Sequence, residues 1–186
     1  MSVRLFENHH PDIAADVFVD PTALVIGDVS IATGSSIWPF ATLRGDVHKI
    51  SIGEHCNIQD HAVLHVSHDS AFSPGGFALS LAAGITVGHR ATLHGCTIHS
   101  DCLIGMGAIV MDGAIIETHS LIAAGALVPP GKRLAGGQLW AGQPARAIRP
   151  LTADELAFIA YSAKHYTQLG ARHKQSLEDN SSRLAP

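Results

Sequence analysis

The sequence predicts an all-β solenoid, a parallel β-helix of hexapeptide repeats, followed by one C-terminal α-helix. Three observations carry this. Aliphatic residues recur every six positions through long blocks of the chain, and a small residue stands four places behind most of them. Aromatics make up only 5% of the 186 residues while hydrophobics reach 46%, so the interior must be filled by small branched chains. A helix repeats every 3.6 residues and a sandwich strand every two, and neither accounts for six. Three hexapeptides, each a short strand plus a corner, close a triangular coil of about 18 residues.

The first block runs through Val19, Val25, Ile31, Ile37 and Leu43, with Ala23, Val29, Ser35, Ala41 and Val47 behind them. The phase resumes at Ile52, Ile58 and Leu64, with Cys56 and Ala62, and again at Val87 and Leu93, with Ala91. One residue is dropped after Leu93. The phase then continues through Ile98, Ile104, Val110, Ile116, Ile122 and Val128, with Cys102, Ala108, Ala114, Ser120 and Ala126. The β-helix domain is expected over 1–150. The Ser-, Gly- and Pro-rich stretch 66–84 reads as an inserted loop, a place where function often sits. Residues 131–150 read as an irregular segment leaving the prism. The C-terminal helix is expected over 151–172. Thr152 and Glu155 form a capping box at its start, and Leu156, Ile159, Ala163, Tyr166 and Leu169 make an apolar stripe. Residues 173–186 read as a frayed tail.

Composition narrows the function. A net charge of -4 leaves no basic footprint for nucleic acid. No stretch approaches the ~20 apolar residues of a membrane span, and the start lacks the apolar core of a signal peptide. Cys56, Cys96 and Cys102 lack CxxC spacing and read as reduced thiols, which suits the cytoplasm.

Thirteen histidines are many for this length. His65 and His94 each follow an interior anchor, Leu64 and Leu93, and so hold the same place in their hexapeptides. One coil plus an inserted loop separates them, which stacks them on neighbouring coils along one edge. His89 lies five residues before His94, and five residues of strand span roughly 16 Å. Zinc ligands all lie at about 2.0–2.1 Å from the metal. His89 and His94 of one chain therefore do not reach the same ion, whereas His89 of one copy and the His65–His94 pair of the next could meet across a three-fold axis. The alternative is that all three are outward-facing surface histidines.

RGDVH, NIQDHAVLH and GHRATLHGC on a hexapeptide prism resemble the γ-class carbonic anhydrase family, and its small YrdA-like bacterial branch in particular. SIWPFATLRGD and GQPARAIRPL extend the likeness over nearly the whole chain. The resemblance implies a left-handed β-helix, a hand that the general preference for right-handed crossovers would not suggest. It further implies a homotrimer with metal sites shared between subunits, and His65, His89 and His94 as ligands of zinc, with iron or cobalt as options. By the same resemblance Arg44, Asp46 and Asp60 belong to an ion-pair network at the trimer interface. Gln59 orients the attacking group, Asn57 lines the substrate pocket, and Tyr166 matches a helical tyrosine that reaches the active site, although it also fits the packing stripe.

Three neutral imidazoles leave zinc an open position for water, whose pKa the ion lowers towards 7; carbonic anhydrase is the standard example. The expected reaction is reversible hydration of CO2 to bicarbonate. Asp60 is expected to pair with Arg44 and to help hold Gln59. Active members of the family carry a Glu after RGD, where this chain has Val47, and an acidic loop, where 66–84 has only Asp69. His48 or His68 could carry protons instead. Two other functions compete: a metal-binding homologue with little CO2 hydration, or one hydrolysing another small ester or thioester; and a hexapeptide acyltransferase.

Overall fold

The computed structural model describes residues 2–184. Short parallel strands stack on three faces of a prism. The first face carries the interior row Ile37, Ile58, Val87, Ile104, Ile122 and Trp140. The second carries Val25, Leu43, Leu64, Leu93, Val110 and Val128. The third carries Ile31, Ile52, Leu81, Ile98, Ile116 and Leu134. All of these side chains are buried, and so are the small corner residues Ala23, Ala41, Cys56, Ala62, Ala91, Cys102, Ala108, Ala114, Ser120 and Ala126. The six-residue period therefore maps onto one continuous core, in which each coil packs only on its neighbours.

Three expectations are corrected here. Val47 is exposed and fills no corner. Gly27 pairs with Gly45 and Val29 with Ile50, so Asp28 alone faces residues 46–49, a bulge that carries Val47 outward and gives its place to Ile50. The insertion is also shorter than 66–84. It folds back on itself through bridges between Ser67 and Phe77 and between Ser70 and Ser73. Leu79–Leu81 is already a strand, paired with Ile50–Ile52 and Thr97–Ile98, because its alternation points Leu79 and Leu81 inward. Residues 131–150 do not leave the prism as irregular chain. Arg133–Leu134 and Gln138–Gly142 complete further strands, and Ala145–Pro150 returns antiparallel against the last of them, covering an edge.

The helix α1 (Ala153–Leu184) lies across the first face, against the strands at 18–19, 36–37, 57–58 and 86–87. The capping box forms: Glu155 N donates to Thr152 Oγ1 at 3.2 Å and Thr152 N to Glu155 Oε2 at 2.9 Å. Ile159 and Ala163 of the expected stripe are buried, Tyr166 and Leu169 are half-buried, and Leu156 faces out. Ser162 and Gly170 complete the buried side. A Cβ on Gly170 would stand 3.0 Å from Ser36 Cβ, so glycine sets how closely the helix lies on the sheet. The helix also continues past 172 through residues expected to fray, while 185–186 lie outside the described residues. The extra turns have anchors. The His173 ring stands 5.0 Å from Trp38 and 5.4 Å from Phe18, and Lys174 Nζ donates to Val17 O at 3.3 Å.

Candidate metal centre

His65 and His94 are register partners on adjacent coils of the second face, with ring centroids 5.1 Å apart. His89 precedes the corner on the other side of that face, where Arg90 adopts φ 59°. Among the described residues, no three His, Cys, Asp or Glu side chains gather closely enough to hold an ion. The outward side chains between the two edges include the exposed Val63 and Ile109.

All three imidazoles hold Nδ1 beside an oxygen, hydrogen-bonded to it in His65 and His94 and within ion-pair distance in His89. His65 Nδ1 lies 2.7 Å from the Arg44 carbonyl, His94 Nδ1 2.7 Å from Asp112 Oδ1, and His89 Nδ1 2.8 Å from Asp60 Oδ2. A carbonyl or carboxylate can only accept, so Nδ1 of His65 and of His94 carries a proton, and in the neutral ring Nε2 then keeps its lone pair; the carboxylate beside His89 Nδ1 favours the same tautomer there. Metal-binding histidines are prepared in this way. Burial, with the nearby Arg44 charge, also holds the His65 pKa below its ordinary value, favouring the neutral ligand form. The donor set therefore fits a borderline cation such as zinc.

The network around the ligands can be followed within one chain. Arg44 Nη1 donates to Asp46 Oδ2 at 2.5 Å, and Asp46 also lies 3.8 Å from His65. Within the chain Asp60 pairs with His89 rather than with Arg44, because Asp60 and His89 hold equivalent places on adjacent coils. Nor does Asp60 hold Gln59. Gln59 Nε2 donates to Asn57 Oδ1 at 3.0 Å, and Asn57 Nδ2 to Thr86 Oγ1 at 2.9 Å. Asn57 is 1% exposed beneath α1, so it supports Gln59 and does not line an open pocket. Sequence reasoning missed Asp112, which stands 18 residues after His94 on the next coil, one place beyond strict register. It also missed Thr86, in the outward row with Ser36 and Asn57.

Gln59, His89 and Tyr166 line one cleft of about 410 Å³, walled by Leu103, Leu121 and Phe158. Tyr166 therefore reaches the site while packing edge-on against Trp38 at 5.5 Å. Burial, aided by the Asp60 carboxylate, raises its hydroxyl pKa. His68 is exposed, and His48 accepts from the Lys49 amide at 2.8 Å. Burial pushes the Cys56 and Cys96 thiols up to about 12 and Cys102 to about 11, so none is poised as a nucleophile.

A coiled prism with anchored histidines at two edges of one face defines a class, and comparison with known proteins agrees. Residues 95–130 match the family described as bacterial transferase hexapeptide (six repeats). The chain is 46% identical over 166 residues to Protein YrdA of Escherichia coli strain K12, covering 89% of this chain and 90% of that one. It is likewise 46% identical over 165 residues to Gamma carbonic anhydrase 2, mitochondrial, of Arabidopsis thaliana, covering 88% of this chain and 58% of the plant protein. A Bacillus cereus crystal structure designated an acetyltransferase superposes with a TM-score of 0.87 at 36% identity, covering 93% and 96% of the two chains. The chain belongs to the γ-class carbonic anhydrase family, in its YrdA-like branch. Its fold is the left-handed parallel β-helix with a C-terminal helix.

Proposed function

We propose that this protein is a metal-dependent catalyst of the reversible hydration of CO2 to bicarbonate, working as a homotrimer. In this reading His65 and His94 of one copy and His89 of the next hold each ion. The observation that carries it is that all three imidazoles hold Nδ1 within 2.7–2.8 Å of an oxygen, which in the neutral ring leaves Nε2 for a metal, at opposite edges of one partly apolar face. Zinc held there, or iron or cobalt, supplies a Lewis acid that renders water nucleophilic near neutral pH. The chain's own residues do the rest. Asp60 and Asp112 keep His89 and His94 in the ligating tautomer, Gln59 offers its carboxamide oxygen in the cleft, and the apolar walls suit an uncharged substrate. Arg44 and Asp46 brace the edge against the neighbouring copy. With Val47 in place of a carboxylate, His48 and His68 are the candidates to carry protons to solvent. The three buried, free cysteines suit a cytoplasmic setting.

A second reading, hydrolysis of a small ester or thioester at the same site, is favoured by a cleft far larger than CO2 needs. Stopped-flow CO2 hydration on zinc- and iron-loaded protein, beside hydrolysis of small esters, separates the two. A rate no higher than buffer, with ester turnover, would replace the first reading by the second. Ligand sharing is tested by complementation. His65→Ala and His89→Ala should each lose metal alone, yet mixed, co-refolded subunits should regain it at the interfaces where one chain supplies His65 and His94 and the other His89. No metal recovery in the mixture rejects sharing.

A further inference from the structure

Gln59 is the last member of a buried chain of hydrogen bonds that begins on α1. Ser162 Oγ lies 3.0 Å from Thr86 Oγ1, which accepts from Asn57 Nδ2 at 2.9 Å, and Asn57 Oδ1 accepts from Gln59 Nε2 at 3.0 Å. The four side chains are 1–7% exposed, so water does not readily replace a lost partner. We propose that Ser162 and Thr86 are positioning residues that decide which end of the Gln59 carboxamide faces the cleft. The helix thereby sets the polarity of the group beside the metal ligands. This rests on the function proposed above.

The argument is one of donors and acceptors. A carboxamide has one accepting and one donating end of nearly equal shape, and only its partners fix which way it points. In this proposal Ser162 directs its own proton to a carbonyl of the preceding turn, as a helical serine can, leaving its oxygen as the acceptor for Thr86. Thr86 then donates to Ser162 and accepts from Asn57. Asn57 turns its oxygen to Gln59, and Gln59 turns its nitrogen inward and its Oε1 to the cleft. If the Ser162 oxygen is removed, the Thr86 proton has its remaining acceptor in Asn57. Asn57 then turns over, Gln59 follows, and a donor replaces an acceptor in the cleft.

Side-chain amide resonances of Gln59 in 15N-glutamine-labelled protein test this, with CO2 hydration measured in parallel. Ser162→Ala and Thr86→Val should move both Gln59 amide protons and speed their exchange with water. They should also lower kcat by about ten- to a hundredfold with KM little changed. Thr86→Ser, which keeps the hydroxyl, should restore the wild-type resonances and rate. Unmoved Gln59 resonances in folded Ser162→Ala protein would overturn the proposal, and that variant serves even if Thr86→Val fails to fold. Moved resonances in a protein without CO2 hydration would uphold the positioning role while rejecting the proposed reaction.

Discussion

Residues 95–130 and residues 42–94 obey one rule of construction with different fidelity. In the first stretch the steps from Thr97 to Ile115, from Leu103 to Leu121 and from Ile109 to Leu127 take 18 residues each, and this is the stretch that matches the hexapeptide family. In the second the steps Thr42 to Val63 and Val63 to Thr92 take 21 and 29 residues, and the step out of it, Thr92 to Ile109, takes 17. Arg44, Asp46, Asn57, Gln59, Asp60, His65, His89 and His94 all lie in the irregular stretch, with Asp112 reaching in from the regular one. Regular coils give rigidity, and departures from six place side chains where a uniform column would not. Corners of the regular stretch differ according to whether they adjoin the site. A Cβ added at Gly107 or Gly125 would meet nothing within 4 Å, whereas one at Gly95 would stand 2.2 Å from Asp112 Oδ1 and 2.6 Å from Phe77 Cβ.

This division can be broken experimentally. In the regular stretch Ile116→Ala opens a hole in a fully buried row and should cost about 2–5 kcal/mol in urea unfolding. Bound metal in the folded fraction should stay unchanged, and metal loss there would dissolve the distinction. At the one place where the regular stretch reaches into the site, Asp112→Asn should leave the unfolding midpoint of metal-free protein nearly intact while weakening zinc affinity about 10–100-fold in a chelator competition. Gly95→Ala should destabilise by more than Gly107→Ala. Both carry the cost of a positive φ, about 1–3 kcal/mol, and only the first also displaces Asp112 and Phe77. The smallest effect concerns Glu155, held down to about 2 by Arg149 and by the Thr152 amide. A depressed carboxylate stabilises above its unfolded value, near 4.5, and loses that contribution as pH falls towards 2. Glu155→Gln should therefore melt slightly below wild type at pH 7, with the gap closing between pH 4.5 and 2.

The repeat was legible because its aliphatic and small residues recur at fixed intervals. The stacking of His65 on His94 followed from their equal places after Leu64 and Leu93. What escaped the sequence depended on lateral neighbours. Leu79–Leu81 was hidden in a Ser- and Gly-rich stretch whose composition outweighed a three-residue alternation. Val47 obeyed the period, yet the bulge at 46–49 displaced it. Asp60 stands five residues before His65 as His89 stands five before His94, so its place beside His89 followed from the same stacking and was overlooked. Asp112 lies on the coil above His94 but one place out of register, because a residue is dropped after Leu93, so the period alone pointed to its neighbour Met111. The burial of Asn57 and Thr86 needed the helix, which covers that outward row.

A stack of coils is a one-dimensional object, open to unzipping from either end. Here the final segment of the chain lies across four strands beginning at Phe18, and its last anchored turns grip Trp38 and Val17. That contact spans 157 residues between Lys174 and Val17. The earliest coils therefore leave the ribosome before the strap that fastens them has been synthesised, and they stay open at that end until the helix has followed.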